Sequence, residues 1–272
     1  LSASSQRYTA IVDSLNQETM RGAVDEYHSI VPEGLKAQER AGIAHALAGR
    51  ERPRILDLGV GAGRTVGPLR EIASTYVGVD YVQPMVDHCR RHFPGVRFEH
   101  ADARALTMFA DGEFDLVVFS CSGISMVDHE GRLAILREVR RVLSPGGVFF
   151  FSTFNRNSPD YTSPFCFPAL PFTPNPVKLG VRLLRFAGQT AFRFYNRMRY
   201  RRHEVRHPDY AIRNDVYHHY STMLYYISIE GQREQLRDAG YAGQMAVFDR
   251  DGNVADPDCA DGTIVFVVDR DA

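Results

Sequence analysis

Arg54-Ile-Leu-Asp-Leu-Gly-Val-Gly-Ala-Gly-Arg64 is the stretch from which the rest of the chain is read. A short apolar strand, 54–58, runs straight into Gly59-x-Gly61-x-Gly63. Such a segment lets the backbone turn tightly and approach a ligand closely, because glycine adopts conformations that a Cβ forbids. A helix expected over 64–74 presents its N-terminus to the same ligand, which points to a nucleotide-like cofactor. A dinucleotide fingerprint needs a glycine where this chain has Arg64, so a nicotinamide-dependent oxidoreductase is disfavoured.

Working outward, strands and helices alternate. Tyr76-Val-Gly-Val-Asp80 reads as a second strand ending on a carboxylate. Helix 83–92 follows with Pro84 in its first turn, where the missing N–H is harmless. Strand 96–99, the acidic turn Ala101-Asp102-Ala103 and strand 114–119 come next. Helix 129–143 stops at Ser144-Pro-Gly-Gly147, ahead of strand 148–154. This alternation predicts an α/β fold with a doubly wound, mostly parallel sheet. The strands are apolar runs without strict alternation, as expected for strands covered on both faces.

On either side the style changes. Residues 1–50 read as an N-terminal helical lid, with one clear helix between Gly34 and Gly49. Residues 159–176 hold six prolines interleaved with Tyr161, Phe165, Phe167 and Phe172, which excludes a helix or central strand there. A basic helix over 177–201, then helix 229–239 and strands 242–249 and 263–269, complete the chain. The predicted organisation is a core of 51–154 and 215–272, with 155–214 inserted as a substrate cap.

The composition, 44% apolar and 24% charged, excludes a disordered or fibrous chain. No uncharged apolar run approaches the ~18 residues of a membrane span. The four cysteines form no CxxC pair, which argues against structural zinc or a disulfide framework and fits a reducing, cytoplasmic setting. Cys89 and Cys121 read as buried thiols. No signal peptide is expected from Leu1-Ser-Ala-Ser-Ser. The net charge of −1 hides an asymmetry: residues 177–213 carry +8, leaving −9 for the rest.

Ile55-Leu-Asp-Leu-Gly-Val-Gly-Ala-Gly-Arg64, Gly78-Val-Asp80, Ala101-Asp-Ala103, Phe114-Asp-Leu-Val-Val-Phe119 and Leu143-Ser-Pro-Gly-Gly147, in this order, resemble the class I S-adenosylmethionine-dependent methyltransferases. The resemblance covers about 52–154 and, more weakly, 223–269. It implies a seven-stranded sheet with an antiparallel C-terminal hairpin, and S-adenosyl-L-methionine as cofactor. It also implies that Asp80 accepts hydrogen bonds from the ribose hydroxyls and Asp102, beside Ala103, one from the adenine amine. Gly59 and Gly61 would lie under the amino-acid tail, with Asp57 facing its ammonium or a water beside it. Tyr81 and Met85 would cover the adenine, Ser120 would sit near the methionine moiety, and Tyr27 would form a lid edge.

Methyl transfer from a sulfonium rests mainly on positioning, and a base is needed only for a neutral hydroxyl or a protonated amine. The candidates are His129, just after the fourth strand, and His219 in Tyr217-His-His-Tyr220. Asp128 also reads as the cap of helix 129–143. Within the basic helix, Lys178, Arg182, Arg185, Arg193, Arg197 and Arg201 recur on one side, with Val181, Leu184, Tyr195 and Met198 on the other. That face either closes over the active site, holds an anionic small molecule, lies on an anionic membrane, or tracks a nucleic acid. The acidic remainder argues against nucleic acid, and the Pro/Phe-rich segment favours a partly apolar small-molecule acceptor for O- or N-methylation. A lipid or RNA methyltransferase and a non-catalytic cofactor-binding protein are the alternatives; oligomeric state is left open.

Overall fold

The computed structural model describes residues 3–162 and 165–271. The first two residues of the expected lid, two of the Pro/Phe-rich segment and the last residue lie outside the described residues. Three helices come first: α1 (Ala3–Arg21), α2 (Val24–Ser29) and α3 (Ala37–Ala46). The alternating unit follows as β1 (Arg54–Leu58), α4 (Val66–Ile72), β2 (Thr75–Asp80), α5 (Gln83–His92), β3 (Arg97–His100), β4 (Phe114–Phe119), α6 (His129–Val142) and β5 (Leu143–Asn155). Then come α7 (Pro176–Tyr200), β6 (Val205–Arg206), β7 (Tyr210–Asp215), β8 (Thr222–Ile227), α8 (Ile229–Asp238), β9 (Met245–Phe248) and β10 (Thr263–Asp269).

The main sheet has the order β3-β2-β1-β4-β5, with all neighbours parallel. β10 pairs antiparallel with β5 over Val148–Phe154, and β9 pairs antiparallel with β10, so the expected C-terminal hairpin forms. Phe149 and Phe151 of β5 pack against α6 and α8, whereas Phe150 packs on the opposite side with Ile43 and Leu69. Both faces are covered, which explains why these strands carry apolar runs rather than alternation. Asp128 caps α6, its Oδ1 accepting from the Gly131 N–H at 2.9 Å.

The sheet has ten strands rather than seven. β5 runs on to Asn155, where Phe154 and Asn155 pair with Tyr226 and Ile227 of β8, and β8, β7 and β6 continue as an antiparallel ribbon. β5 also begins earlier than expected, at Leu143. The ribbon straddles position 214, the expected end of the insertion.

α7 departs from expectation in its packing. Its only buried residue is Asn196, whose amide donates to His219 O at 3.0 Å and Ser221 Oγ at 2.9 Å. Val181, Leu184, Tyr195 and Met198, the apolar stripe, are all exposed, Leu184 by 77%. The helix is held by a few polar contacts near its C-terminal end and does not close its apolar face over the core.

Candidate active site

The carboxyl ends of β1, β2 and β4 deliver Gly59, Asp80 and Ser120 to one cleft, where ligands bind in open α/β sheets. Gly59 and Gly61 hold φ of 62° and 55°, and a Cβ on Gly59 would stand 2.7 Å from Phe119 Cε2. The turn therefore has to be glycine there, and its bare backbone forms the cleft floor.

Asp80 is buried and organises this floor: Oδ2 accepts from Gly61 N–H at 2.9 Å and Oδ1 from Val82 N–H at 2.8 Å. Burial pushes its carboxyl up to about 6, against the pull of those donors. Tyr81, Met85, Asp102, Ala103 and Ser120 line the same cleft. The Tyr81 hydroxyl is buried without a hydrogen-bond partner. Asp102 is tied to Arg104 at 2.6 Å, and Arg104 reaches across to Asp13 of α1 at 2.7 Å.

Asp57 does not line the cleft. It is fully buried behind the glycine turn, where Oδ2 accepts from Thr65 Oγ1 and Tyr76 Oη at 2.5 and 2.7 Å. Oδ1 has no partner, and burial pushes the carboxyl up to about 6. Its place beside an ammonium is not borne by the geometry; it braces the turn from behind.

A second cavity, of about 280 Å³, adjoins the cleft and shares Met20, Tyr27, Cys121 and Met126 with it. Its remaining wall includes Ile30, Glu39, Phe154, Tyr217, His218, Leu224 and Val265. Tyr27 Cδ1 would lie 3.6 Å from a Cβ on Gly61, so this ring rests on the glycine turn and divides the two spaces. Behind Cys121, Arg64 makes a buried bidentate pair with Glu39, at 2.6 Å on each arm, and donates to Cys121 Sγ at 2.9 Å. Cys121 and Ser122 turn through φ of 50° and 56°, a left-handed kink directly after β4.

Residues 55–147 match the family model for a methyltransferase domain. Over that span the chain is similar to S-adenosylmethionine-dependent methyltransferases. A probable S-adenosylmethionine-dependent methyltransferase of Mycolicibacterium smegmatis is 34% identical over 115 residues, which are 42% of each chain. A ubiquinone biosynthesis O-methyltransferase of Methylococcus capsulatus is 31% identical over 121 residues, 43% of this chain and 48% of that protein. The matched part thus spans about half the length of these relatives or less. Among solved structures, the 1,6-didemethyltoxoflavin-N1-methyltransferase of Burkholderia thailandensis, with bound 1,6-didemethyltoxoflavin and S-adenosylhomocysteine, superimposes with a TM-score of 0.60 at 13% identity. That likeness covers 100% of this chain and 92% of that one, and it shows a shared fold.

Neither of the two expected histidines, His129 and His219, lines the cleft or the second cavity. His129 stacks on Tyr210 at 4.2 Å and 3°, and its Nδ1 lies 2.9 Å from Tyr225 Oη. It lines a surface hollow between α6 and α8, outside both cavities, because the first residue of α6 points away from the β4 loop. His219 turns toward α7, its Nδ1 accepting from Arg193 Nε at 3.1 Å. Its neighbour His218 lines the second cavity instead, stacked on Tyr27 at 6.1 Å with Nδ1 3.5 Å from Glu26 Oε2. Consecutive left-handed residues at 218, 219 and 220 set this choice. Among the described residues none of the expected cap, 155–214, lines the second cavity: its wall comes from α1, α2, α3, the segment between β4 and α6, β5, the turn before β8, β8 and β10. Cys121, expected to be buried, is exposed.

Proposed function

We propose that this chain transfers the methyl group of S-adenosyl-L-methionine to an oxygen or nitrogen of a partly apolar small molecule. The observation that carries this reading is that the cleft over the glycine turn adjoins the second cavity along a shared wall of Met20, Tyr27, Cys121 and Met126. A cofactor on Asp80 and the glycine turn would thus have its reactive end at the mouth of an acceptor cavity.

The residues fit the cofactor. The Asp80 carboxylate keeps lone pairs for two ribose hydroxyls beyond its two backbone donors. The partnerless Tyr81 hydroxyl faces the same cleft, and the glycines leave room that side chains would fill. Tyr27 must lift from Gly61 to admit the amino-acid tail. Held by Asp80 and the glycine turn, the cofactor would supply an electrophilic methyl on a sulfonium for in-line transfer to the acceptor. The protein aligns the acceptor, shields it from water and receives its proton. His218 is placed for that last task, with Glu26 orienting its ring.

The apolar walls, Met20, Ile30, Met126, Phe154, Leu224 and Val265, favour an acceptor with an aromatic or aliphatic body. Calorimetric titration with S-adenosylmethionine and S-adenosylhomocysteine, with NADH as control, tests the cofactor half. Labelled-methyl transfer to quinol-like and heteroaromatic acceptors tests the other. Absence of binding by either sulfur compound in the folded protein refutes the reading.

A second reading places the enzyme on a membrane to reach a lipid-like acceptor. Phe172, just before α7, and Val177 and Leu184 on it are 75–86% exposed, with Lys178 and Arg185 on the same helix, and among the described residues no helix is long and apolar enough to cross a membrane. Co-sedimentation with anionic vesicles that Leu184→Asp abolishes supports it; no co-sedimentation refutes it.

A further inference from the structure

Away from both cavities, α2 and α5 meet at three imidazoles. His28 Nδ1 and His88 Nε2 lie 3.0 Å apart. His92, one turn after His88 on α5, stacks on it with centroids 3.9 Å apart and planes at 20°, and its ring is 5.0 Å from that of His28. One ligand-capable atom from each residue lies within 4.8 Å of the other two, which no other group of three histidines, cysteines or carboxylates achieves among the described residues. A single hydrogen bond between His28 and His88 does not account for the third ring.

The details favour ligation. His88 and His92 are four residues apart and so share one face of α5. The His92 Nδ1 lies 2.9 Å from the His88 carbonyl oxygen and donates to it, which leaves Nε2 as the lone-pair nitrogen. This is the arrangement by which a backbone carbonyl selects the tautomer of a metal-binding imidazole. Around zinc, at a metal–nitrogen distance of about 2.05 Å, tetrahedral ligands stand about 3.3 Å apart. The 3.0 Å pair is already at that spacing, and the exposed rings of His28 and His92 have room to turn inward.

We propose that His28, His88 and His92 bind a late first-row divalent cation, Zn2+ being the reference, and thereby clamp α2 to α5. Three neutral imidazoles without a carboxylate select such an ion over Mg2+ or Ca2+. Solvent completes the coordination. The proton shared between His28 and His88 moves to the other nitrogen of its own ring, so the exchange needs no net proton release. The consequence lies on α2: Tyr27, adjacent to His28, is the ring resting on Gly61, so the cation holds that ring over the glycine turn. The site stands whether or not the methyl-transfer reading does.

Zn2+ titrated into the full chain after chelator treatment, against a chromogenic competitor, tests this together with hydrogen exchange of the 24–29 amides. The expected result is saturable binding of one ion, slower exchange across α2, and a melting temperature raised by about 5 °C at hundredfold excess over Kd. His28→Gln, at an exposed position, should keep the metal-free melting temperature, weaken binding at least about tenfold and abolish the slowing. His92→Gln should weaken binding as strongly, and His45→Gln should bind as the parent does. Three results overturn the proposal: no saturable binding, affinity unchanged in His28→Gln, or loss in His92→Gln with retention in His28→Gln, which leaves only a pair on α5.

Discussion

Asp80→Asn should abolish a pH dependence of cofactor binding that the native carboxylate imposes. In the proposed complex ribose hydroxyls would donate to the ionised group, whereas burial has pushed its pKa up to about 6. Above that pH the site is ready; below it each unit of acidification leaves about a tenth as much carboxylate, so Kd rises about tenfold per unit, ~1.4 kcal/mol. The unliganded fold has the opposite trend. A carboxyl whose folded pKa is raised contributes stability that is full below its unfolded value of about 4 and is lost as pH rises through about 6. Acidification across that window should therefore raise the melting temperature of the free protein while weakening S-adenosylhomocysteine. Asparagine removes the titration, and exchanging charged for neutral hydrogen bonds to two hydroxyls costs about 2 kcal/mol, ~30-fold in Kd at neutral pH. It also leaves one of the Gly61 and Val82 N–H groups facing an amide N–H, so some loss of stability accompanies it. Asp57 titrates in the same range but lies behind the turn, so Asp57→Asn should keep the slope. Calorimetry from about pH 5 to about pH 7.5 reads all three proteins. A flat wild-type Kd, or an unchanged slope in Asp80→Asn, would refute the reasoning.

Arg64→Met strands the buried Glu39 carboxylate and should cost about 3–5 kcal/mol in urea unfolding, most of it recovered in Glu39→Met/Arg64→Met. Gly63→Ala places a Cβ against the Phe93 ring at a φ of 96° and should destabilise by about 2 kcal/mol in the same assay. His129→Ala should lose about 1 kcal/mol of aromatic stacking on Tyr210 with normal turnover, whereas His218→Ala should lower turnover about a hundredfold or more at unchanged affinity for S-adenosylhomocysteine. Normal turnover in His218→Ala would remove it as the proton acceptor.

The division between what was legible in the sequence and what was not follows from how each feature is made. The glycine turn, Asp80 at the end of β2 and the order of the parallel strands are local: a Cβ-free backbone and a carboxylate on the last residue of a strand occupy the same place wherever such a unit folds. The flanking ribbon was missed because β8 acquires its meaning only from β7 and from the last two residues of β5, a pairing without a local signature. The stripe on α7 was visible as a periodicity, but periodicity says which side is apolar and not what covers it.

The histidines show the same limit at the scale of single side chains. His129 sits where chain order alone would put a base, but the helix it opens sends its ring toward Tyr210 and Tyr225. At 218 and 219 no spacing rule separates two adjacent imidazoles; three successive left-handed residues, imposed by closing β7 onto β8, decide that His218 meets Tyr27 and His219 meets Arg193. Where the backbone holds the ligand, its position is written in glycines and strand ends. Where side chains must converge from α2, β8 and β10, the position is a property of the packed whole, and substitutions at Glu26 and His218, which line the second cavity and not the cleft, should therefore alter acceptor choice more than cofactor affinity.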